Sequence, residues 1–298
     1  MNHDMSVPTV VAPPQPAAAR PALGLWRRHV QNYELAWLSA LFLALVIAGA
    51  VFAPWLTPYD PTRISIPDRR QLPSLAHPFG TDEQGRDIFA RILFGARPIL
   101  TVGVAAVLLA LLVGVAIGTV AAYWGGQLDD WLMRLMDVVL SFPAILLAIL
   151  IVAALGDGML NLILAISFAM VPVFARLARA VVLGLVNQDY VLAARCLGSP
   201  DYVILRRHIL PNMLPPILVQ ATAMLATAFS TSAALTFIGL GVEAPTPDWG
   251  LMVSEGQRLI FDAPHVPFFP GLVITLTIMS VNFVGDGLRD ALDPVLRK

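Results

Sequence analysis

Side chains able to do chemistry are sparse in this chain, and the longest polar interruption of its apolar second half is one stretch. It runs Gln188, Asp189, Tyr190, Val191, Leu192, Ala193, Ala194, Arg195, Cys196, Leu197, Gly198, Ser199, Pro200, Asp201, Tyr202, and on through Arg206, Arg207, His208, Leu210 and Pro211. The spacing predicts two short helices around a Gly-Ser-Pro corner. Tyr190, Val191, Ala194 and Leu197 recur at i, i+1, i+4 and i+7, one helical face. Gly198 suits the left-handed position after a helix end. Ser199 is placed to cap a second helix, with Pro200 at its first position and Asp201 in its first turn. Arg206, Arg207 and His208 suit that helix's negative end, and Pro211 forbids a smooth continuation. Ala193, Ala194 and Gly198 allow close approach of another backbone. Two readings stay open on this pattern: a helix pair that docks into a groove on another protein, or a solvated loop between membrane spans.

Catalytic chemistry finds little support. His3, His29, His77, His208 and His265 are scattered, with no His-Glu-x-x-His and no Gly-x-Ser-x-Gly, so neither a metal site nor a nucleophile elbow is expected. Cys196 is the only cysteine, which excludes an internal disulfide; it reads as a small buried side chain on a helix face. The only lysine is Lys298. A phosphate-cradling loop of the Walker type needs a lysine inside the motif, so any ATP-driven process must draw its ATPase from another subunit. A net charge of −1 gives no long-range field for nucleic acid.

The elements that must position the polar stretch are membrane spans. The 298 residues are 57% hydrophobic and 13% charged, with mean hydropathy +0.75, against about 25% charge in soluble domains. The chain reads as an all-α polytopic membrane protein with six transmembrane helices. Residues 1–30, with Pro13, Pro14 and Pro16, read as a disordered tail, and 31–56 as the first transmembrane helix. Ala48-Gly49-Ala50 is similar to a cleavage site, but the stretch before the apolar run is too long for an ordinary signal peptide. Residues 57–97 form a polar segment rich in arginine. The core, 98–286, holds further spans near 99–124, 138–155, 159–182, 213–240 and 267–284, with the polar stretch as a loop at 187–212 and a tail at 287–298. Pro143 and Pro172 predict kinks, and kinked helices can form a gate. Gly114 and Gly118 permit close helix packing. Residues 241–266, with Pro247 and Trp249, read either as a re-entrant or interfacial piece facing a pathway or as a packed loop.

Six spans put both termini on the side of the 187–212 loop. Twelve basic residues then lie inside against seven outside, which favours a cytoplasmic placement of that side only mildly. Arg63, Arg69, Arg70, Arg86, Arg91 and Arg97 fall outside, where positive charge is normally sparse. Apart from Arg176 and Arg179 near one end of the fourth, the spans lack charge, which argues against an ion-driven secondary transporter.

Ala193-Ala194, three residues, Gly198, and the later Leu210-Pro211 resemble the EAA loop of ABC-importer permeases. Leu192 stands where that family's Glu would be and His208 where Ile is usual, so no salt bridge is carried over from that Glu. Further stretches resemble the dipeptide/oligopeptide/nickel branch, in the subunit type with an extra N-terminal span. They are His77-Pro78-Phe79-Gly80-Thr81-Asp82 through Gly85-Arg86-Asp87, Met136-Asp137-Val138 with Ser141-Phe142-Pro143, Phe237 to Val242 with Pro245 to Gly250, and Asn282 to Pro294. The resemblance implies a type I importer core (MetI-like) in the cell's inner membrane. It implies a homologous permease, two ABC ATPase subunits holding ATP and Mg, and an external solute-binding protein as partners. It implies an ATPase-coupling role for Asp189, Ala193, Ala194, Gly198, Ser199, Arg206, Arg207, His208, Leu210 and Pro211, and leaves the substrate open between peptides, glutathione-like peptides and nickel complexes.

Overall fold

A computed structural model describes residues 22–243 and 245–292, with side chains from 34 onward apart from that of Leu292. The lysine, the proline-rich start of the tail and the end of the last quoted motif lie outside the described residues. Among the described residues the fold is helical, with one isolated bridge between Thr81 and Asp87 and no strand. The helices are α1 (Ala22–Leu56), α2 (Ile88–Trp124), α3 (Gly126–Leu140), α4 (Ala144–Leu155), α5 (Met159–Val186), α6 (Asp189–Cys196), α7 (Asp201–Ile204), α8 (Leu210–Phe237), α9 (Trp249–Gly256) and α10 (His265–Leu292). Five helical segments are long and apolar enough to cross a membrane, and α3 with α4 makes a sixth if that bent pair is one span.

Several boundaries differ from the sequence expectation. Helix α1 begins at Ala22, inside the stretch read as a tail, and α10 continues past 286 to Leu292. Helix α2 begins at Ile88, inside the segment read as polar, because Asp87 caps it: its carboxylate accepts the Ala90 N–H at 2.7 Å. The expected span at 138–155 is not one straight helix. Helices α3 and α4 meet at 87° across Ser141, Phe142 and Pro143. Pro143 occupies the N-cap of α4, where its missing N–H costs nothing, rather than the interior of a kinked helix. The 12 residues of α4 extend only about 18 Å.

Helix α2 packs most extensively on α5. Gly114 and Gly118 make this possible: a Cβ on Gly118 would lie 2.1 Å from the Ala175 carbonyl oxygen, and one on Gly114 2.6 Å from Phe174 Cβ. Phe174, Leu162, Ile166 and Leu235 fill the centre of the bundle. Exposed Trp37, Leu38, Leu41, Leu45, Leu108 and Leu112 lie on α1 and α2, as apolar faces turned to hydrocarbon would.

Candidate functional site

The 188–211 segment is a preformed corner. At its centre Gly198 takes φ +78°. The Gly198 N–H donates to the Arg195 carbonyl and the Ser199 N–H to the Ala194 carbonyl, at 3.0 and 3.1 Å. That paired pattern is a Schellman ending of α6, and it requires the left-handed residue. Ser199 does not cap the second helix. Its N–H is spent on α6, and α7 starts one residue later with Pro200 at the N-cap, whose carbonyl accepts from Val203 and Ile204.

One side of the corner anchors it. Val191, Ile204 and Ile209 are fully buried, with Ala194 beside them, against Ala122 of α2, Ala178 and Val182 of α5 and Met213 of α8. Burial of each large aliphatic side chain contributes roughly 1.5–3 kcal/mol. The other side faces outward. Leu197 is 86% exposed and Tyr202 72%, and Asp189, Ala193, Arg206, Arg207, Leu210 and Pro211 are exposed too. The buried face is therefore Val191 and Ala194, and does not include Tyr190 or Leu197. Cys196 is exposed, not buried as its type suggested, because it falls off the Val191–Ala194 side of α6. Arg206 and Arg207 form no ion pair among the described residues, and His208 is half-buried.

Pro211 does not end the second helix. Residues Leu205–Ile209 form a π-turn, with the Leu210 N–H donating to the Leu205 carbonyl, and the chain continues as one helical rod from Asp201 to Phe237. A wider turn gives the proline ring room where an α-turn would drive it into the carbonyl four residues back. At the corner itself, Tyr123 in the last turn of α2 donates its hydroxyl to Asp201 Oδ1 at 2.6 Å and lies 5.6 Å beneath the Arg195 guanidinium.

The far end of α2 carries the polar groups that sequence reasoning could not place. Asp82 Oδ2 accepts from Arg86 Nε (2.6 Å) and Arg91 Nη1 (2.5 Å). Glu255 Oε2, from α9, accepts from Arg86 Nη2 (2.7 Å) and Arg91 Nη1 (2.9 Å). Arg86, Arg91 and Asp82 are nearly inaccessible to solvent. Asp87 pairs with His77 Nδ1 at 2.9 Å while capping α2. Gly85 is required beneath this clasp: at φ +75° a Cβ would sit 1.8 Å from the Ser65 carbonyl oxygen. Arg69 donates to the Glu83 carbonyl, Arg70 pairs with the Glu83 carboxylate, and Arg97 donates to the Ala50 carbonyl of α1. The arginine-rich segment is thus a hydrogen-bonded knot, with five of its six arginines engaged, three of them by carboxylates. The signal for it lay in the five acids interleaved with the six arginines, but Glu255 is remote in sequence.

Arg176 and Arg179 are also paired. Arg179 grips Asp129 through two bonds of 2.6 Å, and Arg176 bonds Asp137, so α5 holds α3 by two ion pairs. The prospective pathway residues are not gathered in one place. Pro172 is buried inside an unbroken α5, and Pro143 sits at the α3–α4 bend. Pro247 is buried, and Trp249 is 1% exposed with its indole N–H donating to the Ile92 carbonyl at 2.8 Å. Trp249 is a packing anchor for the 241–266 segment, which folds as a packed piece against α2, α8 and α10. Beside it, burial pushes the Asp248 carboxyl above its ordinary value, against hydrogen bonds from Thr236, Leu251 and Gly250.

The described residues thus form a long apolar helical bundle with a bent helix pair and an outward-facing helix–glycine–helix corner. The family model described as "Binding-protein-dependent transport system inner membrane component" matches residues 114–298, and the one described as "N-terminal TM domain of oligopeptide transport permease C" matches 24–77. The chain belongs to this family of ABC transport permeases and is a multi-pass membrane protein. It is 43% identical over 287 residues to a dipeptide transport system permease protein of Alkalihalophilus pseudofirmus, covering 95% of this chain and 94% of the relative. It is 44% identical over 273 residues to a glutathione transport system permease protein of Escherichia coli, covering 91% and 90%. Among solved structures, the inward-facing MetNI methionine ABC transporter superposes with TM-score 0.57 at 18% identity, covering 68% of this chain and 96% of that one; this likeness supports the MetI-like, type I importer fold.

Proposed function

We propose that the chain is one of two homologous permeases in an importer for di- and oligopeptides, including glutathione-like ones, in the inner membrane. The relatives that cover nearly its whole length carry dipeptides and glutathione by name, and both are short peptides. A nickel complex is the alternative cargo within the same resemblance. In this reading two ATPase subunits bind ATP and Mg and hydrolyse the nucleotide, a solute-binding protein delivers cargo from outside, and this chain catalyses nothing. Both termini and the 188–211 corner lie on the cytoplasmic side, and the 57–97 segment lies outside.

The observation that carries the coupling role is the division of the corner's two faces. Its inner face is closed by buried aliphatic contacts, while Arg206, Arg207, Leu197 and Tyr202 project from it. Exposed apolar side chains next to uncommitted guanidiniums are what a protein partner's groove and carboxylates would take. ATP binding would shift the partner ATPases, and the docked corner would pass the displacement to the spans. Co-purification with the ATPase subunits tests this. Arg206→Glu with Arg207→Glu is expected to abolish ATPase retention and labelled dipeptide uptake while membrane insertion persists. Retention of both activities in that variant would overturn the assignment.

A further inference from the structure

We propose that Tyr123 is a positioning residue that makes α2 the rigid path by which movement of the 188–211 corner reaches the opposite end of the bundle. This rests on the coupling role proposed for the corner and extends it to a residue outside that segment.

The three helices to which the corner is attached differ in stiffness. Toward α8 the attachment is the π-turn Leu205–Ile209, a break in the α-helical ladder at which a helical rod can bend. Toward α5 the link is the short turn at Asn187 and Gln188. Toward α2 it is a polar clamp. Tyr123 bonds Asp201, in the first turn of α7, and stacks beneath Arg195, in the last turn of α6. One ring therefore holds both short helices on either side of the Gly198 corner. On the α8 side, among the described residues, Asn212 also donates to the Tyr190 hydroxyl at 3.4 Å and to the His208 carbonyl at 2.6 Å, but it reaches only α6 and the π-turn and does not span the Gly198 corner.

Helix α2, with Tyr123 in its last turn, is continuous for 37 residues, about 55 Å. Its body is locked to α5 through Gly114 and Gly118. Its far end is capped by Asp87 and tied through Arg91 to Asp82 and Glu255. A push on the corner is absorbed by the π-turn on the α8 side and transmitted on the α2 side. Tyr123 adds a polar tie to the packed contact between α2 and the corner, a contiguous network of the kind that carries coupling.

The test uses the assembled transporter in proteoliposomes, measuring dipeptide uptake and ATP hydrolysis together. Tyr123→Phe deletes one hydroxyl and keeps the ring beneath Arg195. The expected result is continued hydrolysis with uptake per ATP reduced about fivefold, the lower end of ordinary coupling energies. Asp201→Ala removes the same bond from the other side and should give the same ratio, with the double variant no worse than either. An unchanged ratio in both single variants overturns the proposal, as does a parallel fall of uptake and hydrolysis. Failure of the wild-type chain to assemble with ATPases would instead overturn the coupling reading on which the proposal rests.

Discussion

The two ends of α2 hold the same residue types in opposite settings. At one end Asp82, Arg86, Arg91 and Glu255 are buried and mutually bonded. At the other, Arg206 and Arg207 are exposed without an ion pair among the described residues. Arginine content alone does not distinguish a clasp from a contact surface; burial and pairing do. A buried network costs desolvation that its bonds offset only in part here, since Arg91 Nε has no partner among the described residues, and losing one member leaves a buried charge uncompensated. An open guanidinium has no such internal role and is available to a partner.

Substitutions can sharpen that contrast. Arg91→Ala should be the most damaging, at about 3–5 kcal/mol, because Asp82 and Glu255 lose a shared partner; loss of folded protein by size-exclusion chromatography in detergent would report it. Gly198→Val should strain the left-handed corner by about 1–2 kcal/mol, reducing uptake while the protein still inserts; full uptake would mean the corner tolerates a different path. Arg206→Ala with Arg207→Ala should change thermal stability by no more than about 0.5 kcal/mol yet weaken ATPase retention. A stability loss as large as that of Arg91→Ala would erase the distinction between the two ends. The smallest effect concerns Asp248. Burial raises its carboxyl in the folded protein, so the fold binds that proton more tightly than the unfolded chain does. Stability from this group is full below the ordinary carboxylate value and falls as pH rises through the raised one. Asp248→Asn should flatten that part of a melting-temperature profile measured across acid to neutral pH.

The glycine corner was legible in the sequence because its cause is local: only a residue without a side chain relaxes readily at φ +78° after α6. The membrane helices were legible from apolar length. The clasp was not, since Glu255 reaches Arg91 from 164 positions away and no periodicity encodes such a meeting. The α3–α4 bend was read as a kink because a proline inside an apolar run resembles one; only the placement of α3, held by Arg176 and Arg179, turns it into a sharp corner. Pro211 misled in the opposite direction, since a break in the α-helical ladder is not a break in the rod.

That π-turn also sets an angular phase. It holds one residue more than an α-turn would across the same gap, so side chains before and after Leu205–Ile209 are out of step with a single α-helical wheel. Deleting one residue there would restore the wheel and swing the whole α6–α7 hairpin by about 100° around the axis of α8. Arg195 and Asp201 would then leave Tyr123, and Leu197 would point along a different azimuth. The facing direction of the corner is thus set by counting residues in one wide turn, as much as by the contacts that hold it.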